Sequence, residues 1–284
     1  MAKLSASSFK QQAKIVLAAG TTLVYCGYTH AQKYFSGRYE LGITAGSSNY
    51  HGDLSHGNPL PFFHPSGGAF FKYNFNGYFG YRLQASYLRA SGTDKDDPTY
   101  KVRNLSFATD IYEMGNLFEF NFRSFGTNVN DKYWTPYFYT GLNLFLFEPT
   151  RMENSDIKLR NLYTEGQKRR YSRLQPSVPI GFGIKTMLQP QKNRGVWILG
   201  VEGCWRKTFT DYLDDVKGSY PDYAAMVDQH GLGSAEYSHP ETKNGLAPYA
   251  AGTMRGDTHL RDYYYYLGFT VSYRFTPLIC TRLH

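Results

Sequence analysis

Val196-Trp197-Ile198-Leu199-Gly200-Val201-Glu202-Gly203-Cys204-Trp205-Arg206 alternates without a break: Trp197, Leu199, Val201, Gly203 and Trp205 share one face, and Ile198, Gly200, Glu202, Cys204 and Arg206 the other. A period of two is strand geometry, because successive side chains of an extended chain point to opposite sides. One strand alone cannot say which face is wet. In a soluble sandwich the apolar face packs a core and the charged face looks outward.

The same alternation recurs in about eight segments, near 38–50, 68–76, 78–90, 105–123, 135–148, 174–188, 195–210 and 262–275. One face collects Leu41 and Ile43, Phe71 and Phe75, Phe79 and Leu83, Met114 and Phe118, Leu142 and Leu144, Ile180 and Phe182, Leu199 and Val201, and Leu267 and Phe269, with no charge among them. A lipid-facing Arg or Lys costs roughly 2–4 kcal/mol at the bilayer midplane, so a charge-free face on every strand is what a membrane would require. The opposite face holds Glu40, Lys72, Arg82, Glu113, Glu119, Lys185, Glu202, Arg206 and Arg274, interleaved with glycines such as Gly181, Gly183 and Gly200. Acids and bases nearly balance there. An eight-stranded barrel is only wide enough to be filled by side chains, so these nine residues are expected to form a charge network across a closed interior. A solute channel would need a wider barrel or a lumen of one sign.

Composition agrees. Aromatics make up 17% of the 284 residues, with 26 Tyr and 20 Phe, while mean hydropathy is a polar −0.48. No internal stretch reaches the ~18 apolar residues of a membrane helix, whereas barrel strands need only about 9–11 residues and alternate. The connections also alternate in length: 74–77, 124–134 and 189–195 are short or moderate, and 51–67, 91–104, 149–173 and 211–261 are long. Short periplasmic turns, long outer loops and both termini on the periplasmic side are the outer-membrane pattern. The expected fold is all-β, an eight-stranded antiparallel transmembrane barrel of OmpA-like size.

The N-terminus reads as an export signal over 1–31: Lys3, Lys10 and Lys14, an apolar run from Ile15 to Val24, and Thr29-His30-Ala31 as a small-x-small cleavage site. Barrel then occupies 32–275, and 276–284 is a periplasmic tail. A lipidation site at Cys26 fits poorly, since Tyr25 stands where a small residue is wanted. Removing the three lysines takes the formal net charge from +8 to +5, and the remaining bases are scattered, which argues against nucleic acid. Cys204 on a strand and Cys280 in the tail have no reason to meet, so barrel closure rather than a disulfide must stabilise the exported chain.

Chemistry is sparse. The eight His residues fall in the signal, in loops (His51, His56, His64, His230, His239, His259) and at the last position. They read as polar surface groups, and a wall-mounted Ser–His pair for hydrolysis is not expected. Asp94, Asp96 and Asp97, and Asp211, Asp214 and Asp215, lack the ordered spacing of a calcium loop. The first group reads as solvated, and the second as organising the longest loop against nearby bases. Tyr263 to Tyr266 read as interfacial girdle. No catalysis, cofactor, metal or small-molecule substrate is expected.

Several strings carry a resemblance. Gly46-Ser47-Ser48-Asn49-Tyr50-His51-Gly52-Asp53-Leu54, Arg103-Asn104-Leu105-Ser106-Phe107, Thr164-Glu165-Gly166-Gln167, Arg206-Lys207-Thr208-Phe209-Thr210-Asp211-Tyr212-Leu213-Asp214-Asp215-Val216 and Ser272-Tyr273-Arg274-Phe275 resemble the PorG-like family of Bacteroidetes outer-membrane barrels associated with type IX secretion. The resemblance covers Tyr39 to Phe275, and the tail to His284 departs from it. It implies a structural subunit that fixes the periplasmic ring of the PorK lipoprotein and PorN to the outer membrane. Docking would use the periplasmic face, where Arg123, Lys132, Tyr133, Trp134, Lys192 and Arg194 are the expected anchors, because aromatic and Arg side chains dominate interfaces. The alternative is an independent surface barrel whose long loops, above all 211–261, bind ligands or host surfaces.

Overall fold

The computed structural model describes residues 38–55, 64–95, 97–126, 131–188, 195–257 and 262–275. The expected signal over 1–31 and the tail over 276–284 lie outside these residues. Nine strands are described: β1 (Tyr39–His51), β2 (His64–Asn74), β3 (Phe79–Thr93), β4 (Ser106–Asn121), β5 (Trp134–Arg151), β6 (Asn154–Lys158), β7 (Leu174–Leu188), β8 (Val196–Thr208) and β9 (Tyr263–Phe275). All pairings between them are antiparallel: β1 joins β2 and β9, β4 joins β5, and β5 joins β7, which closes eight strands into a barrel. β6 lies outside the ring as a short hairpin on the end of β5. It arises within a stretch expected to be plain loop.

Alternation sorts the residues as expected. Leu41, Ile43, Phe118, Phe182 and Phe269 lie on the exposed exterior, while Glu40, Lys72, Glu119 and Arg206 are buried inside. An open face this apolar suits lipid and would be an aggregation hazard in water. The barrel strands run from 11 to 18 residues, longer than the ~9–11 needed to cross a bilayer. The excess rises at the long-loop end. There Glu148, Arg89, Asp110 and Lys207 take over the outward positions above Leu146, Tyr87, Tyr112 and Trp205.

Two interior glycines explain how a lumen this narrow holds large rings. Tyr139 lies against Gly181 and Tyr137 against Gly183, where an added Cβ would come within 2.1 Å and 2.6 Å of the rings. The missing side chains give the rings their space, and the rings cover the glycine backbone. The β5–β7 ladder is interrupted between Thr140↔Ile180 and Asn143↔Ser177. Pro179 has no N–H to give the ladder, and Thr140 Oγ1 donates to the Pro179 carbonyl at 2.8 Å instead.

Other elements also differ from the expectation. β2 begins at His64 and β1 ends at His51, so two histidines expected in loops are on strands. Of the tyrosines expected to form girdle, Tyr264 and Tyr266 turn inward and are buried, leaving Tyr263 and Tyr265 at the interface. Finally, the 211–261 stretch is not bare loop. It carries α1 (Tyr223–Ser238), capped by the Asp222 side chain on the Ala225 N–H, and a 3-10 turn at Pro240–Asn244.

Candidate functional site

Ions fill the lower and middle lumen in three levels. Nearest the short turns, Lys72 Nζ sits 3.0 Å from Glu40 Oε1 and 3.2 Å from Glu119 Oε1, Arg274 closes on Glu40 at 3.3 Å, and Lys185 closes on Glu119. In the middle, Arg82 forks onto Glu202 at 2.8 and 3.0 Å while Tyr137 donates to the same carboxylate at 2.7 Å. Above them Arg206 meets Glu113 at 2.9 Å, and the Tyr264 hydroxyl donates to Glu113 at 2.8 Å. All nine side chains are buried. Removing an ion from water costs several kcal/mol, which only a well-placed counterion with further hydrogen bonds offsets. These contacts supply both, so the lumen is a packed polar core.

At the short-turn mouth the segment after β4 folds back, and the wholly buried Phe125 caps the barrel from below against Met187, Val196 and Ile198. The cations Lys185 and Arg274 lie 4.9 and 5.0 Å from its ring, and its carbonyl accepts from Arg274 at 3.2 Å. Sequence reasoning missed this residue. The available signal was a lone aromatic between Ser124 and Gly126. Beside it the rim is open: Tyr133 is 58% and Trp134 47% exposed, Lys132 is exposed, and the Arg123 guanidinium lies 4.2 Å from the Trp134 ring centroid. These four expected anchors are therefore neighbours. Lys192 and Arg194 lie outside the described residues.

At the long-loop mouth the architecture changes. An apolar layer of Leu88, Phe107, Ile111, Phe145, Phe147 and Leu213 seals the barrel, and a buried polar cap sits on it. Arg103 ties three loops together: it grips Asp94 at 2.7 Å through two nitrogens, the Asp53 carbonyl at 3.0 Å and the Arg255 carbonyl at 2.7 Å. The Tyr50 hydroxyl contacts both Asp214 and, at 3.0 Å, Asp262. Asp215 accepts from Thr164 at 2.5 Å and from Tyr171 at 2.7 Å. Glu165 accepts from the Lys217 and Gly218 N–H groups and pairs with Arg255 at 3.3 Å. All the described non-glycine residues with positive φ lie here, at Asn104, Tyr163 and Asp215. Such conformations persist only where surrounding contacts hold them.

Electrostatics in the cap follow from this geometry. Burial, then the charge of Asp262, pushes the Asp214 carboxyl well above the usual range, and burial raises Asp262 likewise. Against that rise, the Tyr50 hydroxyl serves both carboxyls, the Val216 N–H donates to Asp214 at 2.8 Å and the Leu213 N–H to Asp262 at 2.9 Å. Burial also pushes Asp215 up to about 6, with Arg255 and the hydroxyl donors holding it from rising further.

The expected loop roles change accordingly. Asp94 is buried on Arg103 rather than solvated, and Asp214 faces a tyrosine and a second carboxylate rather than bases. His239 is buried between Glu241 and the Pro221 carbonyl rather than a surface group. His64 Nε2 stands 2.7 Å from Ser91 Oγ, a Ser–His contact not expected from the sequence. Ser91 is only 2% exposed, so a substrate carbonyl could not reach its oxygen, and the contact is structural. The described residues hold no cluster of three or more His, Cys, Asp or Glu that could bind a metal.

Four of the five strings that carried the resemblance converge on this cap, while Ser272-Tyr273-Arg274-Phe275 closes β9 at the short-turn end. Tyr50 with Asp214, Thr164 with Asp215, and Arg103 with Asp53 join segments 50 to 164 residues apart.

Among solved structures, the chain is similar to the attachment invasion locus protein Ail of Yersinia pestis, with 13% identity over 85% of this chain and 100% of that one and a TM-score of 0.38. It is also similar to Neisserial surface protein A, with 10% identity over 84% and 99% and a TM-score of 0.39. The outer membrane protein OprG of Pseudomonas aeruginosa stands at 10% identity over 84% and 98%, with a TM-score of 0.39. At these values the likeness bears on nothing beyond the barrel. No curated protein sequence matches the chain. A family model described as a domain of unknown function matches residues 21–236, and the chain belongs to that family, DUF6089.

Proposed function

We propose that this is a non-enzymatic outer-membrane barrel that serves type IX protein secretion by docking the periplasmic PorK/PorN ring at its short-turn rim. The observation that carries the reading is the exposed group of Lys132, Tyr133 and Trp134, with the half-buried Arg123 over the Trp134 ring, beside the Phe125 cap. A guanidinium stacked on an indole, next to an open tyrosine, is the composition of an interface anchor. The resemblance noted on the signature strings names the partner, and the packed lumen directs function to the two mouths. A photo-crosslinker placed at Tyr133 in intact cells should recover a PorK or PorN chain. Recovery of no ring component from a correctly inserted barrel would break the reading.

A second reading is favoured by one specific feature. The long-loop cap is a fixed platform rather than a set of free loops, which suits a surface barrel that binds a ligand from outside. Deleting α1 separates the two: secretion of cargo should survive if docking is the role, and surface binding should be lost if the cap is the working part.

A further inference from the structure

The long-loop mouth is electrically lopsided. Between Glu148 and Arg173 the chain has seven Lys and Arg against four Asp and Glu, whereas from Phe209 to Asp262 it has nine acids against four bases. Within the basic loop, Glu165 is spoken for by Arg255. Lys168, Arg169 and Arg170 are exposed at its tip. Lys168 and Arg169 have no hydrogen bond or ion pair with described residues, and Arg170 makes only a contact over the Tyr163 ring, at 5.6 Å.

The height of this charge identifies what it meets. On the outer wall of β5, Leu142, Leu144 and Leu146 are exposed, and Leu146 pairs with Leu174, which is also exposed. One outward position higher the wall changes character. Glu148 stands between Lys158 at 3.1 Å and Arg173 at 3.4 Å, two bases on one acid, each about half exposed. Aliphatic wall giving way to net positive charge within one side-chain step is the level where lipid tails give way to headgroups. The triplet stands a few residues further along, four to six positions before Leu174.

The platform is also rigid. A tight turn with Gly166 at φ +66 closes through its N–H on the Tyr163 carbonyl at 2.7 Å. Thr164 is bound through its hydroxyl to Asp215 and through its carbonyl to Ser238. Arg160 donates to the Tyr171 carbonyl at 2.7 Å, and Tyr163 stacks on His230 at 4.7 Å. The backbone that presents these cations is therefore already ordered, which leaves only their side chains to be ordered on binding.

We propose that the basic face built from Lys158, Lys168, Arg169, Arg170 and Arg173 is a binding site for the phosphate groups of lipid headgroups in the leaflet around the long-loop end. In an outer membrane those are phosphorylated sugar headgroups. The inference rests on the membrane-embedded reading of the barrel.

The test uses the full mature chain refolded into vesicles with and without lipid A, with bound lipid read by native mass spectrometry. Each basic residue near an anionic surface is worth roughly fivefold in binding. Replacing Lys168, Arg169 and Arg170 with Ala should therefore weaken lipid A retention on the order of a hundredfold. The matched pair Lys217→Ala and Lys243→Ala, on the acidic loop, should leave it unchanged. Dephosphorylated lipid A should be retained no better by the native chain than by the triple variant. Equal retention by native and triple variant, both showing the heat-dependent gel shift of a folded barrel, would overturn the inference alone. Equal competition by inorganic phosphate or a soluble sugar phosphate would overturn the assignment to headgroups. Failure of the native chain to insert into any vesicle would overturn the membrane reading and this site with it.

Discussion

The lumen and the long-loop cap bury ionisable groups in opposite ways. In the lumen every buried acid has a base: Glu40 and Glu119 share Lys72, Glu202 has Arg82, and Glu113 has Arg206. In the cap Asp214 and Asp262 share one tyrosine hydroxyl, and the other charges around them, Asp53 and Asp211, are acids too. The lumen is neutralised by ion pairing throughout, whereas the cap sets its ion pairs, Arg103 on Asp94 and Arg255 on Glu165, beside two carboxyls that have no base and are pushed up by burial. A barrel wall fixes strand register, so acid and base can be placed opposite each other across a narrow bore. Loops arriving from four separate strand pairs have no such common register, and their polar groups are satisfied one contact at a time.

The sharpest break in this contrast is in the lumen. Glu119→Leu leaves Lys72 and Lys185 to crowd the one remaining carboxylate, Glu40, and is expected to destabilise the barrel by about 3–5 kcal/mol in urea titrations of vesicle-embedded protein. Arg82→Leu alone should cost a similar amount, while Arg82→Leu with Glu202→Leu should recover most of it, because no uncompensated ion remains. If the double variant is as unstable as the single, packing rather than charge holds the middle level together.

A smaller effect is expected in the cap. Tyr50→Phe removes the hydroxyl between two carboxylates and should cost roughly 1–3 kcal/mol, read as faster hydrogen exchange in segment 209–257 with the barrel strands unchanged. Loss of protection in the strands as well would mean that cap and barrel unfold as one unit.

Acidity sharpens the comparison further. The folded carboxyls of Asp214, Asp262 and Asp215 lie above the unfolded value of about 3.9, so each favours the folded cap through its proton. That stabilisation is complete below pH about 4 and is lost as pH rises, through about 6 for Asp215 and above the usual carboxylate range for the Asp214 and Asp262 pair. Protease nicking of the cap should therefore increase from pH 5 to pH 8. Asp214→Asn, neutral at every pH, should flatten much of that rise. A native profile independent of pH would show the carboxylates to be compensated in another way.

The smallest expected change in stability is at the short-turn rim. Arg123→Ala and Trp134→Ala each remove the one contact between a half-buried guanidinium and an exposed indole and should cost no more than about 1 kcal/mol, yet they should abolish crosslinking to the ring. Variants that unfold the barrel would make these residues part of its frame.

The two ends of the molecule were not equally legible. Strand alternation, the charge-free exterior and the inward set from Glu40 to Arg274 follow from a period of two, which local geometry imposes on any half-buried strand. His51 and His64 were misplaced because strand ends are set by pairing with neighbours, and Tyr264 and Tyr266 because a run of four tyrosines hides its own alternation. Phe125 escaped because a single aromatic in a turn has no periodic signal. The cap was hidden for a deeper reason: Tyr50, Arg103, Thr164, Asp214 and Asp262 are far apart in the chain, and the contacts that join their loops run between segments with no local pattern to announce them.

By itself, then, the sequence determined that this chain is a barrel, which residues face lipid, and which charges must fill the interior, because those follow from short-range periodicity and the cost of exposing charge to hydrocarbon. Only the tertiary structure decided which acid meets which base, that Phe125 stoppers one mouth, and that scattered polar strings build a buried polar cap over the other. Those outcomes depend on register and loop closure between segments as much as 234 residues apart, and no local pattern encodes them.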